Sequence, residues 1–85
     1  MEDLERKDLE EKAGHMLLLK KGHFSFSEAL TAFREYAQTR ASTEDLRNIL
    51  LDALDYRLNE GTLKFYGGKY YSFLKESIIE DTNEQ

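Results

Sequence analysis

The sequence predicts a mainly α-helical fold in which three helices precede a C-terminal β-hairpin. Apolar residues recur at helical spacing in three segments before Gly61. Two aromatic, β-rich runs then flank Gly67-Gly68, a pair typical of a tight hairpin turn. Of the 85 residues, 40% are hydrophobic and 34% are charged, which indicates one globular domain over residues 1–85. We expect a charged N-terminal extension over about residues 1–8 and a flexible tail over about residues 80–85.

The first helix is predicted from about Leu4 to Lys21. Gly22 is its predicted stop, because glycine readily adopts the left-handed conformation that ends helices. One apolar face comes from four residues at helical spacing: Leu9, Ala13, Met16 and Leu17.

The second helix follows a short extended stretch, His23–Phe26, and runs to about Gln38. The spacing of Ser25 and Glu28 is that of a capping box, in which each side chain satisfies a free backbone N–H group of the other residue. This pattern therefore predicts where the helix begins.

The third helix is predicted from its N-cap at Ser42 to Glu60, with Gly61 as the stop. Its apolar face is formed by Leu46, Ile49, Leu50, Ala53, Leu54 and Leu58. Leu51 and Tyr56 widen this face beyond what one side of a small core needs. Three alternatives for what buries this extra apolar surface stay open: the first helix, the tail, or a partner chain. If the partner is a second copy of the chain, the homodimer would also use Ile78 and Ile79.

The hairpin is predicted from two strands, Thr62–Tyr66 and Lys69–Phe73. Gly67 and Gly68 suit a type I′ turn, which needs positive φ at both central residues. This turn sets three cross-strand pairs: Tyr66 with Lys69, Phe65 with Tyr70, and Lys64 with Tyr71. A short helix is expected over Leu74–Asp81.

The order of these elements resembles the winged-helix variant of the helix-turn-helix fold. The resemblance covers roughly Leu9 to Leu74, with His23–Phe26 as the short first strand and Ser42–Glu60 as the third helix. The run Leu-Asn-Glu-Gly-Thr-Leu-Lys followed by Gly-Gly-Lys-Tyr-Tyr is similar to the passage from helix to wing in many such domains. Among them it is most similar to small winged helices of replication and transcription assemblies, such as the C-terminal domain of minichromosome-maintenance helicases. Fold alone does not determine function.

The third helix carries a candidate binding face for a protein partner. Opposite its leucines lie Glu44, Asp45, Asn48, Asp52 and Asp55, followed by Asn59. Arg47 and Arg57 are predicted to fall within the arc of the leucines. In DNA-binding winged helices this helix enters the major groove, where carboxylates would be repelled by phosphates. Three interpretations of the face stay open: plain solvated surface, a site for a basic protein, and ordinary major-groove docking, which its charge disfavours.

The hairpin carries a candidate nucleic-acid-binding face. Its cations and aromatic rings alternate on one side of the strands: Lys64, Tyr66, Lys69 and Tyr71. This pattern suits a phosphate backbone or a protein, and it also suits an ordinary exposed wing.

No residue pattern in the sequence indicates an enzyme. There are no cysteines, and His15 and His23 have no carboxylates at ligand spacing, so neither a metal nor a cofactor is expected. The net charge of −5 disfavours strong non-specific binding to nucleic acid. The longest apolar run, Met16–Leu19, is too short for a membrane span, and we expect a cytoplasmic protein, or a nuclear one in a eukaryote.

Two hypotheses about function follow. The first is an accessory or regulatory domain that binds a protein within a nucleic-acid-processing or transcription assembly. The second is a DNA-binding transcriptional regulator that contacts DNA through its wing as a dimer. The acidic third helix favours the first, whereas the lysines and tyrosines of the hairpin favour the second.

Overall fold

Three helices and a three-stranded antiparallel sheet form the computed structural model, which describes residues 2–73. The elements in chain order are α1 (Asp3–Leu19), β1 (His23–Phe24), α2 (Phe26–Ala37), α3 (Thr43–Glu60), β2 (Leu63–Tyr66) and β3 (Lys69–Ser72). The predicted mainly helical fold with a C-terminal hairpin is confirmed. The helix expected over Leu74–Asp81 and the tail expected from about residue 80 lie outside the described residues.

Helix α1 differs from the prediction at both ends. It begins at Asp3, so most of the predicted charged extension is helical, with an exposed ion pair of 3.1 Å between Arg6 Nε and Glu10 Oε2. It ends at Leu19, two residues before the predicted end, because Lys20 already has extended backbone angles. Gly22 does have a positive φ of 76°, but its carbonyl accepts the Ser72 N–H at 2.9 Å, so it serves the sheet and does not cap the helix.

The predicted capping box at the start of α2 is confirmed. The Glu28 N–H donates to Ser25 Oγ at 3.1 Å, and the Ser25 N–H donates to Glu28 Oε1 at 3.0 Å. Because Ser25 is the N-cap, strand β1 contains only His23 and Phe24 and is shorter than the predicted stretch.

The capping box gives the stability of the domain a pH dependence. The hydrogen bond from the Ser25 backbone, aided by nearby cations, lowers the pKa of Glu28 in the folded state. A lowered pKa stabilises the fold above the unfolded-state pKa of about 4.3, and this contribution disappears as pH falls through the folded-state pKa. We expect Glu28→Gln to destabilise the domain at neutral pH and to match the unsubstituted chain at low pH. Urea denaturation of both proteins at about pH 7 and pH 3 checks this, and equal losses at both pH values would contradict it.

The sheet has the strand order β1-β3-β2. All three predicted hairpin pairs are confirmed: Lys64 with Tyr71, Phe65 with Tyr70, and Tyr66 with Lys69. The turn glycines Gly67 and Gly68 have φ values of 61° and 82°, the positive values that a type I′ turn needs. Strand β1 pairs with the other side of β3, which places His23 opposite Tyr71 and Phe24 opposite Tyr70.

The hydrophobic core lies between the three helices and the inner face of the sheet. Its largest fully buried side chains are Phe24, Phe33, Leu17, Leu46, Ile49, Leu50, Leu54 and Leu63. Arg34 connects α2 to the start of α3, since its guanidinium donates to the Ala41 carbonyl at 3.2 Å and to Thr43 Oγ1 at 3.0 Å. Between residues 2 and 73 no helix combines the length and the apolar character needed to cross a membrane.

Candidate interaction surfaces

The acidic face of α3 (Glu44, Asp45, Asn48, Asp52 and Asp55) lies on the side of the helix away from the core. Asp45 is half-buried beside the N-cap Ser42, and the other four side chains are exposed. Burial raises the pKa of the Tyr70 phenol on the sheet, and the charge of Asp55 on this face raises it further. The predicted carboxylates therefore share one accessible surface.

The exposure of Arg47 and the position of Arg6 beside this face were not predicted from the sequence. Arg47 lies within the arc of the leucines as predicted, but at the edge of the buried part, where its long side chain is exposed to solvent. Arg6 of α1 approaches Asp52, with Nη2 3.6 Å from Oδ2. This ion pair is exposed at both partners and contributes little to stability.

The outer face of the sheet joins the four hairpin residues predicted to share a face. Alternation along the strands and the observed register put Lys64, Tyr66, Lys69 and Tyr71 on one side. Tyr66 is the most exposed of the sheet aromatics at 76%. The predicted alternation of cations and aromatic rings is therefore present on an accessible surface.

Two further residues belong to the outer face of the sheet and were missed by the sequence analysis. The His23 ring lies 5.7 Å from the Tyr71 ring, and Lys64 Nζ lies 5.7 Å from the centre of the Phe73 ring. Strand alternation from Tyr71 could have identified Phe73, but only the pairing of β1 with β3 reveals His23. The backbone hydrogen bond from Ser25 lowers the pKa of Glu28, and the charges of Lys69, Lys20 and His23 lower it further.

A groove of about 610 Å³ is lined by residues of both α1 and α3. Leu18 of α1 and Tyr56 of α3 line it and are 49% and 64% exposed, so α1 covers the apolar excess of α3 only in part. Leu51, which the homodimer hypothesis also uses, is exposed as well, whereas Ile78 and Ile79 lie outside the described residues.

Arg57 lines this groove and is the one buried charged residue of the described part of the chain. Its side chain is 7% exposed, and burial lowers the pKa of the guanidinium. Nε donates to Thr62 Oγ1 at 2.7 Å, whereas Nη1 and Nη2 are buried without a hydrogen-bond partner. The sequence predicted its place among the leucines correctly but not its missing partners.

The described residues contain no group of three or more His, Asp or Glu side chains arranged to hold a metal ion. Comparisons with protein-family models, with curated proteins and with solved structures find no significant match to this chain.

Proposed function

We propose that this chain is a winged-helix domain that binds a protein partner as an accessory or regulatory unit of a nucleic-acid-processing or transcription assembly. The element order and the strand order β1-β3-β2 support the architecture, with α3 leading through Gly61 into the hairpin. The observation that carries the function is the exposed acidic face of α3. This is the helix that DNA-binding winged helices place in the major groove.

The charge of this face argues for a protein and against a DNA groove. Its carboxylates would approach phosphates at short range, where salt screens poorly and repulsion is strongest. A basic protein surface would meet the same carboxylates with complementary charge, which speeds association and favours the correct partner. The net charge of −5 adds to this preference.

A charge-neutralising variant of α3 tests the proposal. Glu44→Gln with Asp55→Asn removes two exposed carboxylates and no capping bond or ion pair, so we expect an unchanged fold and about tenfold weaker binding of the basic partner. The matched control, Glu5→Gln with Glu11→Gln, removes two exposed carboxylates from α1 and should bind normally. The measurement is affinity capture of the partner from nuclease-treated native extract, followed by titration with the purified partner. Equal binding by both variants would contradict the proposal.

The second candidate function is binding of nucleic acid through the outer face of the sheet. It is favoured by Lys64 and Lys69 interleaved with Tyr66 and Tyr71, because cations can contact the phosphate backbone while aromatic rings stack on bases. The described cations of this face are few, whereas groove binding needs several neutralised phosphates.

We expect duplex DNA to bind only weakly, with a Kd above about 1 μM at physiological salt. Fluorescence anisotropy over a salt series measures this. Lys64→Glu with Lys69→Glu should remove whatever binding remains, whereas Lys7→Glu with Arg40→Glu makes the same charge change away from the sheet and should not. Sub-micromolar binding of duplex DNA that is lost in Lys64→Glu with Lys69→Glu, and kept in the control variant, would contradict the protein-partner proposal. It would favour a DNA-binding transcriptional regulator instead.

A further inference from the structure

The guanidinium of Arg57 is an energetic anomaly in this fold. A buried charge is ordinarily paired, because the loss of its hydration is offset only by a counter-charge and hydrogen bonds. Here Nε donates to the Thr62 hydroxyl and the charge of Glu60 favours the charged guanidinium, but Nη1 and Nη2 have no hydrogen-bond partner among the described residues. Two donors in a fixed planar fork match the two oxygens of a carboxylate.

The groove beside Arg57 provides room for an apolar body. Its apolar lining comes from Leu18, Ile49, Ala53 and the Tyr56 ring. Its volume of about 610 Å³ lies in the range of small-molecule sites. Gly14 of α1 lines it too, and a Cβ added at Gly14 would meet no atom within 4 Å. This glycine therefore leaves open space at a helical position where alanine would be more stable.

Acidic side chains line the same groove and restrict the charge of its ligand. Glu10, Asp52 and Glu60 contribute to the lining, so a polyanion would be repelled while it approached. Arg57 is the only lysine or arginine of this lining, so a ligand with one carboxylate and an uncharged apolar body can pair with it and meets the least repulsion from these neighbours.

We propose that the groove between α1 and α3 is a binding site for a small apolar monocarboxylic acid whose carboxylate pairs with Arg57. Nη1 and Nη2 are closed to solvent and share a rigid plane with Nε, so binding requires the guanidinium to turn toward the groove and give up the Nε bond to Thr62. The groove adjoins the acidic face of α3 and shares Asp52 with it, but its anchoring cation Arg57 lies outside that face.

Binding of matched acids and amides to the full chain tests this site. The probes are benzoate, hexanoate and 4-phenylbutyrate, each paired with its neutral amide, and the readout is the NMR shift of the Gly14 and Ala53 amides. At least one acid should bind with a Kd of about 1 mM or tighter, and its amide about tenfold more weakly. No binding of any acid at about 10 mM, or equal binding of acid and amide, would overturn the proposal.

Three variants separate the anchoring cation from the groove. Arg57→Met keeps an apolar stem and should bind acid and amide equally, whereas Arg47→Met changes an exposed arginine of the same helix and should keep the preference for the acid. Gly14→Leu fills the groove from a helical position and should weaken both probes. An Arg57→Met variant that still prefers the acid would contradict the assignment.

Other occupants of the groove give distinct results. Acid binding that appears only after Glu76→Gln, Glu80→Gln and Asp81→Asn would assign the groove to the chain's own C-terminal segment. A dimer in sedimentation that the acid dissociates would assign it to a second copy of the chain. Either result overturns the small-acid proposal, and unchanged acid binding by a monomer supports it.

Discussion

Phe24→Ala is expected to cost about 3–5 kcal/mol in the free energy of unfolding, as for a fully buried aromatic side chain. Phe24 is 2% exposed, and its ring stacks on Tyr70 with 5.7 Å between ring centres and an interplanar angle of 20°. Total stability in small domains is only about 5–15 kcal/mol, so this loss would be a large share of the total. Urea denaturation followed by circular dichroism measures it.

His23→Ala is the matched control because it lies on the same two-residue strand and faces the opposite way. His23 is exposed and contacts the Tyr71 ring at the surface, so its loss should stay within about 1 kcal/mol. Similar losses in the two variants would show that β1 does not present one face to the core and one to solvent.

Gly67→Val with Gly68→Val is expected to cost about 2–4 kcal/mol, given about 1–2 kcal/mol for each β-carbon forced into the left-handed region. The φ values are 61° and 82°, and a Cβ added at either glycine meets no atom within 4 Å. The cost therefore comes from backbone conformation and not from crowding. Thermal and urea denaturation both measure the effect.

Gly67→Asn is the control for the turn, because asparagine followed by glycine is a favoured type I′ pair. It should change stability by no more than about 0.5 kcal/mol. An unchanged melting temperature in the double valine variant would contradict the assignment of a type I′ turn at Gly67-Gly68. The agreement between the predicted and observed register of β2 and β3 would not rescue that assignment. The same two variants report whether binding through the outer face of the sheet depends on an ordered hairpin.

The candidate surfaces differ in how far the sequence could predict them. Helical periodicity was enough to collect the carboxylates of α3 on one exposed face, because residues at known angular steps share a face wherever the helix packs. Turn chemistry was likewise enough to place Lys64 opposite Tyr71 and Tyr66 opposite Lys69. Both predictions depend on interactions between residues close in the chain.

The sequence by itself determined the three helices, the Ser25–Glu28 capping box and the register of the hairpin, since neighbouring residues decide all of these. Only the tertiary structure decided that β1 pairs with β3 and brings His23 to Tyr71. It also decided that Arg57 is buried with two unpartnered nitrogens beside a groove between α1 and α3. These features arise from contacts between distant segments, whose geometry depends on how the helices pack and on no local pattern of residues.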